Sequence, residues 1–301
     1  MKNKLIAQCL FLILMFLAST LSSGGLLLLG VVLSAVLIVF YTGKFGVGFT
    51  LTGLIPLFVI GYLSGGAITA AFLCFHSLSA YCVGFFIHHK GKFSSMLICA
   101  TLIEVAVLTA FTLYFCQAQQ LKPVDFLFGA SFEQFTTALT NTEKINQTTM
   151  LDLHSTAQYM LQLLQTMLPV LYLSMSAAFV YIVFGTARFF LKKTGCTIDY
   201  MPYFYELWLP RSISGIFIIL FISSMFVSSP ILMNMVSFMF MIFVVCGLSF
   251  AYYLLQSKRI PKSICALITL AILLISSLVG GIFTSILCCI GMSNGARSAR
   301  K

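Results

Sequence analysis

Residues 204–211 read FYELWLPR, and a nearly unbroken apolar run of about twenty residues follows, enough for one helix to cross a bilayer. Aromatic side chains favour the headgroup layer, proline suits the first turn of a helix, and arginine can extend to the aqueous surface. The stretch predicts a membrane-crossing helix that starts at the interface, with Glu206, Trp208, Pro210 and Arg211 as anchors. The alternative interpretation is that these four residues form a docking patch for a cytoplasmic or membrane partner.

The composition of the whole chain points to lipid as its solvent. Of its 301 residues, 60% are hydrophobic and 8% charged, and the mean hydropathy is +1.06, whereas a soluble domain has about 25% charged residues. The formal net charge is +10, but the bases fall in short clusters between apolar runs. This pattern indicates that they set the orientation of membrane helices rather than bind nucleic acid. The sequence predicts a polytopic membrane protein with no nucleic-acid partner.

Apolar runs of helix-spanning length predict an all-α transmembrane bundle. Nine runs are long enough to be spans. The alternative is eight spans, because Ser276, Ser277, Gly280 and Gly281 could break the last run. The nine predicted spans are 5–22, 24–41, 47–63, 67–87, 93–116, 165–191, 211–230, 232–255 and 263–291.

The distribution of Lys and Arg predicts the orientation. With a cytoplasmic N-terminus, 12 of the 17 Lys and Arg residues fall on the cytoplasmic side, as the positive-inside rule requires. The polar segment 117–164 is then external, and it divides the chain into helices one to five (1–116) and six to nine (165–301). Within it an amphipathic helix is expected, from the helical spacing of Phe128, Phe132, Phe135 and Leu139.

Catalytic and metal-binding patterns are missing from the sequence. The ten cysteines form no CxxC pair, and we find no paired carboxylates, HExxH or Ser/His set. Adjacent His88 and His89 do not point the same way, which disfavours a metal site. We expect neither an enzyme nor a cofactor.

Two residues stand apart inside the predicted spans: His76 is the only histidine there and Glu104 the only acid. Both are 14 residues from Lys90, at the centre of the short loop between spans four and five, so they should lie at nearly the same depth. We expect a low-dielectric polar site that binds substrate or carries a proton. The alternative is that each residue hydrogen-bonds separately to Ser, Thr or backbone groups, with Glu104 protonated.

Small residues recur at helical spacing in spans three and four, at Gly61 and Gly65 and again at Ala67 and Ala71. Such faces let helices approach closely in membranes. They predict packing between the protein's own helices, with contact to a partner protein as the alternative.

Several short motifs resemble the YybS-like family of bacterial membrane proteins. Phe204…Trp208-Leu209-Pro210 resembles that family's aromatic start of a span, Met167–Leu173 its proline-bearing central span, and Cys246–Phe250 its Gly-Leu-Ser span. The family's tail has an acid after its glycine, where this chain has Asn294.

The resemblance implies a fold similar to the substrate-binding subunits of energy-coupling-factor vitamin transporters, which dock onto a coupling subunit driven by ATPases. We therefore expect a transport-related protein of the bacterial cytoplasmic membrane, a substrate-binding subunit or permease-like bundle. Its expected partners are the lipid bilayer, a small-molecule substrate and a membrane coupling or ATPase protein. The alternative is a non-transporting scaffold or regulator that acts through protein partners.

Overall fold

A computed structural model describes residues 2–23, 27–123, 125, 147–196, 198, 204–207, 209–279 and 281–294. Every regular element in this part of the chain is helical. The chain divides into two compact units, residues 1–201 and residues 202–301, and each is described by itself.

The described residues of the first unit form six helices. A 3₁₀ turn at Leu51–Gly53 separates the third helix from the fourth. The helices are α1 (Lys2–Ser23), α2 (Leu27–Phe45), α3 (Val47–Thr50), α4 (Leu54–His88), α5 (Phe93–Gln119) and α6 (Gln147–Lys193).

In the second unit, the part of the chain that the structure describes forms four helices, preceded by a 3₁₀ turn at Phe204–Glu206. The helices are α7 (Arg211–Phe226), α8 (Pro230–Ser257), α9 (Lys262–Val279) and α10 (Gly281–Asn294). The last predicted span, 263–291, is thus divided between α9 and α10 near the glycine pair.

Five segments are long and apolar enough to cross a membrane, judged by length and composition within the described residues: Val47–Ser64, Gly66–His88, Phe93–Gln119, Leu161–Lys193 and Pro230–Ser257. They correspond to predicted spans three, four, five, six and eight. The other predicted spans coincide with shorter apolar helices. An all-helical protein with several membrane-spanning helices is confirmed, while the count of nine stays a prediction.

Helix α4 reverses direction at Gly66, whose φ is +78°, a backbone conformation that glycine adopts far more readily than other residues. Tyr81 donates a hydrogen bond of 2.7 Å to the carbonyl of Thr50. In one straight helix, residues 31 positions apart would be about 45 Å apart. A Cβ added to Gly61 would lie 2.6 Å from the Cα of Ala70. The two arms of α4 therefore form a tight antiparallel hairpin.

Helices α2, α4 and α6 end close together. A Cβ on Gly43 would meet Ile87 of α4 at 3.0 Å and Leu191 of α6 at 3.5 Å. His88 Nδ1 lies 3.3 Å from the Gly43 carbonyl oxygen. The buried core of the unit, which includes Phe11, Ile38, Tyr41, Val83 and Phe184, fills the space between these helices.

Helix α6 begins 18 residues before the predicted start of span six. It has 47 residues and extends about 70 Å, roughly twice the hydrocarbon thickness. The predicted external segment 117–164 therefore contains the first turns of this helix. The predicted amphipathic helix at Phe128–Leu139 lies outside the described residues.

In the second unit, α8 and α10 pack backbone against backbone. Gly247 lies against the carbonyl of Leu287, and Gly291 against that of Phe243, so closely that a side chain at either position would collide. Such approach maximises van der Waals contact where hydrophobic burial contributes little.

The hairpin can be tested by adding one methyl group. Gly61→Ala should destabilise the protein by about 1–3 kcal/mol, because its Cβ must push the backbone of Ala70 away. Thermal unfolding in mild detergent measures the change. Gly185→Ala is the matched control, since nothing lies within 4 Å of its added Cβ; equal melting temperatures for the two variants would contradict the hairpin.

Candidate functional site

His76 of α4 and Glu104 of α5 meet in the middle of the first unit. His76 Nδ1 contacts Glu104 Oε1, and the two side chains are 9% and 1% exposed. The contact lacks the angular geometry of a hydrogen bond. The structure thus brings together the two intramembrane ionisable residues that the sequence singled out.

The loop between α4 and α5 sets the depth of the pair. Lys90 adopts a left-handed conformation with φ of +53°, and the Gly91 amide donates to the Phe86 carbonyl at 2.8 Å. This sharp reversal makes the two helices antiparallel neighbours, so equal distances along the chain become equal depths.

Aromatic rings from three helices surround the imidazole. The His76 ring stacks on Phe72 with centroids 5.5 Å apart, and its centroid lies 4.6 Å from that of Phe179 on α6. Phe111 of α5 packs edge-on against Phe72 at 5.0 Å. These rings make an apolar shell around the two side chains, in which any charge is weakly screened.

Buried oxygens on α5 and α6 that make no hydrogen bond to any described residue include Glu104 Oε2, Thr101 Oγ1 and Ser176 Oγ. Their residues are 0%, 6% and 1% exposed. Thr101 lies one turn before Glu104 on α5, and Ser176 lies one turn before Phe179 on α6. Unpaired buried polar groups are costly, so these oxygens need a ligand, water or ion.

The arrangement suits binding of a positive charge or a hydrogen-bond donor. A carboxylate accepts hydrogen bonds through both oxygens, and hydroxyl groups both donate and accept. Within the described part of the chain, no three His, Cys, Asp or Glu residues cluster as they would around a transition metal.

The FYELWLPR stretch is attached to helix α8. Ser249 donates to the carbonyls of Phe204 at 2.6 Å and Leu207 at 3.1 Å. The ring of Tyr205 stacks on Tyr252 with centroids 6.4 Å apart. Much of this stretch therefore serves packing within the second unit. Sequence reasoning did not assign Ser249 a role, although a serine inside a long apolar helix is a usable signal.

The four predicted anchor residues have different outcomes. Pro210 is the N-cap of α7, and Arg211 is its first residue. Glu206 is exposed at the end of the 3₁₀ turn. Trp208 and the side chain of Arg211 lie outside the described residues, so their anchoring or docking role stays a prediction.

The four predicted helix-packing positions have different surroundings. Gly61 contacts Ala70 inside the α4 hairpin, which is the intramolecular packing that we favoured. Ala67 is exposed and Ala71 is half-buried, and Gly65 comes directly before the reversal at Gly66.

Several membrane-length apolar helices define a multi-pass membrane protein. Residues 9–290 match the family model described as "Predicted membrane protein (DUF2232)", and the chain belongs to this family. No curated protein matches the chain. No solved structure matches it either.

A double-mutant cycle tests the pair energetically. His76→Ala alone leaves a buried carboxylate unpaired, and Glu104→Gln removes the charge that the histidine contacts. We expect a coupling energy of about 0.5–3 kcal/mol in detergent unfolding. Glu104→Gln combined with Thr194→Ala, whose hydroxyl donates to the carbonyl of Leu191, should be additive; strict additivity for His76 and Glu104 as well would show that they do not interact.

Proposed function

We propose that this protein binds or passes a small molecule within a bacterial plasma membrane, as a substrate-binding subunit or permease-like bundle. The observation that supports this most is the buried Glu104 carboxylate, whose second oxygen has no hydrogen-bond partner among the described residues. Its chemistry is binding, so the proposed protein is a carrier component rather than an enzyme.

The energetic cost of the site supports a functional role. An ionised residue at the centre of a transmembrane helix costs about 2.5–3.5 kcal/mol on insertion scales. An apolar pair would pack the same space without that cost. Ionisable residues inside membranes therefore indicate a binding or transport site by default.

The proposed role as a substrate-binding subunit is based on the resemblance to the YybS-like family. Under this proposal, the chain adopts the role of the small helical substrate-binding subunits of energy-coupling-factor transporters. A membrane coupling protein and ATPases would then be its partners, since the sequence contains no Gly-rich phosphate-binding loop.

The proposed topology has nine spans and a cytoplasmic N-terminus. The ends of α2, α4 and α6 meet at Gly43, Ile87 and Leu191. The exposed bases Lys44, Lys90, Lys192 and Lys193 lie at or just beyond these ends. Gathering positive charge at one end of the unit is consistent with the cytoplasmic side of a membrane.

Labelling of single cysteines in a cysteine-free background tests the topology. A cysteine at position 140 should react with a membrane-impermeant maleimide in intact cells, because segment 117–164 is external. A cysteine at position 90 is the control and should react only after lysis. The reverse pattern would exclude the proposed orientation.

Small molecules that co-purify with the protein test the function. The wild type and each variant are purified in mild detergent, extracted with solvent and compared by mass spectrometry. We expect a compound that is retained by wild type and by Glu206→Gln, an exposed acid in the second unit, and lost at least tenfold in Glu104→Gln. A stable protein partner without any retained compound would instead favour the scaffold alternative.

A further inference from the structure

We propose that the end of the first unit where α2, α4 and α6 terminate binds the headgroup of an anionic phospholipid. The lysines at this end hold the lipid phosphate, and the aromatic rings beside them contact the upper part of the acyl chains. The site is separate from the His76–Glu104 pair, and the inference does not depend on the proposed function.

Three helix ends converge there around one small residue. A Cβ built on Gly43 of α2 would meet Ile87 of α4 at 3.0 Å and Leu191 of α6 at 3.5 Å. Lys44 directly follows Gly43, and Lys192 directly follows Leu191. Because these bases come one residue after a point of contact, their side chains extend from one small area at the ends of two helices.

The loop between α4 and α5 adds two more bases to this area. Lys90 is exposed at the tip of the loop, three residues after the contact at Ile87. Lys92 is the N-cap of α5, and the next residue, Phe93, packs against Phe184 of α6 with ring centroids 5.5 Å apart. Bases that are far apart in the sequence therefore meet at one end of the unit.

Positive charge at this end exceeds what the protein offsets. Each helix C-terminus contributes about −0.5 elementary charge, so three termini offset only part of the charge of five lysines. Asp199, which lies outside the described residues, offsets one more at most. An excess of more than about two positive charges remains, and it favours an anionic ligand. The exposed lysines are Lys44, Lys90, Lys92, Lys192 and Lys193.

The described acids of the first unit lie elsewhere. Glu104 is 12 residues beyond Lys92, about 18 Å along α5. Asp125 follows the opposite end of α5, and Asp152 lies near the start of α6. None of these carboxyl groups is placed to neutralise the lysines.

Exposed aromatic rings border the lysines. Phe85 and Phe189 are 45% and 57% exposed, and Lys193 Nζ lies 4.5 Å from the centroid of the Phe189 ring. Lys44 Nζ lies 5.5 Å from the centroid of Phe45. Aromatic rings and basic side chains together are typical of the headgroup layer. A lipid contacts both kinds of group, whereas a free phosphate ion would contact only the lysines.

Orientation in the membrane does not by itself require this arrangement. The positive-inside rule counts bases in short loops, wherever those loops lie relative to one another. Binding of a headgroup requires bases from different helices in one place, and the convergence at Gly43 provides this. Basic pockets between transmembrane helices are established binding sites for lipid headgroups.

Lipid-dependent stabilisation tests the site. Full-length protein is purified in a neutral detergent, and its melting temperature is measured with dioleoyl-phosphatidylglycerol or dioleoyl-phosphatidylcholine at constant ionic strength. We expect phosphatidylglycerol to raise it by at least about 3 °C more than phosphatidylcholine does. Equal shifts with the two lipids would overturn the proposal. Sodium phosphate at the same concentration should give no comparable rise; an equal rise would assign the lysines to a free anion instead.

Variants separate a defined site from a general effect of net charge. Lys44→Gln combined with Lys193→Gln should weaken the apparent affinity for phosphatidylglycerol by about fivefold per lysine removed. The matched control is Lys258→Gln combined with Lys262→Gln, which removes the same charge from exposed lysines of the second unit and should bind as the wild type does. Equal affinity in the two double variants would contradict the proposed location.

If the Lys44→Gln and Lys193→Gln double variant fails to fold, the wild type decides. Native mass spectrometry of wild type from micelles with equal amounts of the two lipids should show at least about fivefold more phosphatidylglycerol adducts. This preference should disappear when the micelles are equilibrated in about 1 M salt, where the Debye length falls to about 3 Å. Equal adducts at low salt, or a preference unchanged at high salt, would contradict binding through the lysines. Neither result affects the small-molecule proposal, because retention of that compound is measured on Glu104→Gln.

Discussion

A carboxyl group surrounded by hydrocarbon needs a polar partner, and this constraint governs how α4 packs against α5. Glu104 is fully buried, and His76 is the ionisable group that reaches it. To bring them together, α4 and α5 must be antiparallel and in register within about one helical turn. The left-handed Lys90 and the Gly91 amide fix that register at the loop. Phenylalanine rings then close the site from three helices and keep the pair in a low-dielectric medium.

The α4 hairpin shows how the need for close helix packing in lipid is met. A helix pair in lipid gains little from burying apolar surface, so it depends on close packing. Gly61 lets the first arm approach the backbone of Ala70, and Gly66 supplies the positive φ that reverses the chain. The second arm is thereby held beside the first, and it carries His76. The polar site thus depends on two glycines that have no chemical role of their own.

The sequence predicted those features that depend on counting along the chain. The limits of spans three and four follow from apolar length and the glycines between them, and the equal depth of His76 and Glu104 follows from the short loop. The rotation of α4 and α5 about their axes could not be predicted from the sequence, because both helices are apolar on every side and have no amphipathic stripe to orient them. The early start of α6 was missed for a related reason: its first turns are polar, and polarity there indicated a loop. Thr101 and Ser176 could not be distinguished from other hydroxyl residues, since in helices most hydroxyls bond their own backbone, as Ser174 does.

In the second unit, as in the α4 hairpin, glycines allow two helix backbones to pack closely. Gly247 and Gly291 allow α8 and α10 to touch at their carbonyls, and Ser249, two residues after Gly247, reaches the carbonyls of Phe204 and Leu207. The carbonyl of Phe204 also accepts from the Leu207 amide at 3.2 Å, so the Ser249 hydroxyl adds a hydrogen bond from a neighbouring helix to this turn. The Gly-Leu-Ser sequence of α8 therefore has two structural roles, because residues two positions apart on a helix point in different directions. The glycine allows α10 to pack closely, and the serine hydrogen-bonds to the aromatic stretch. Arg211 is the first residue of α7; an arginine at such a position can remain near the aqueous surface while the apolar residues after it enter the bilayer, and this anchoring role stays a prediction.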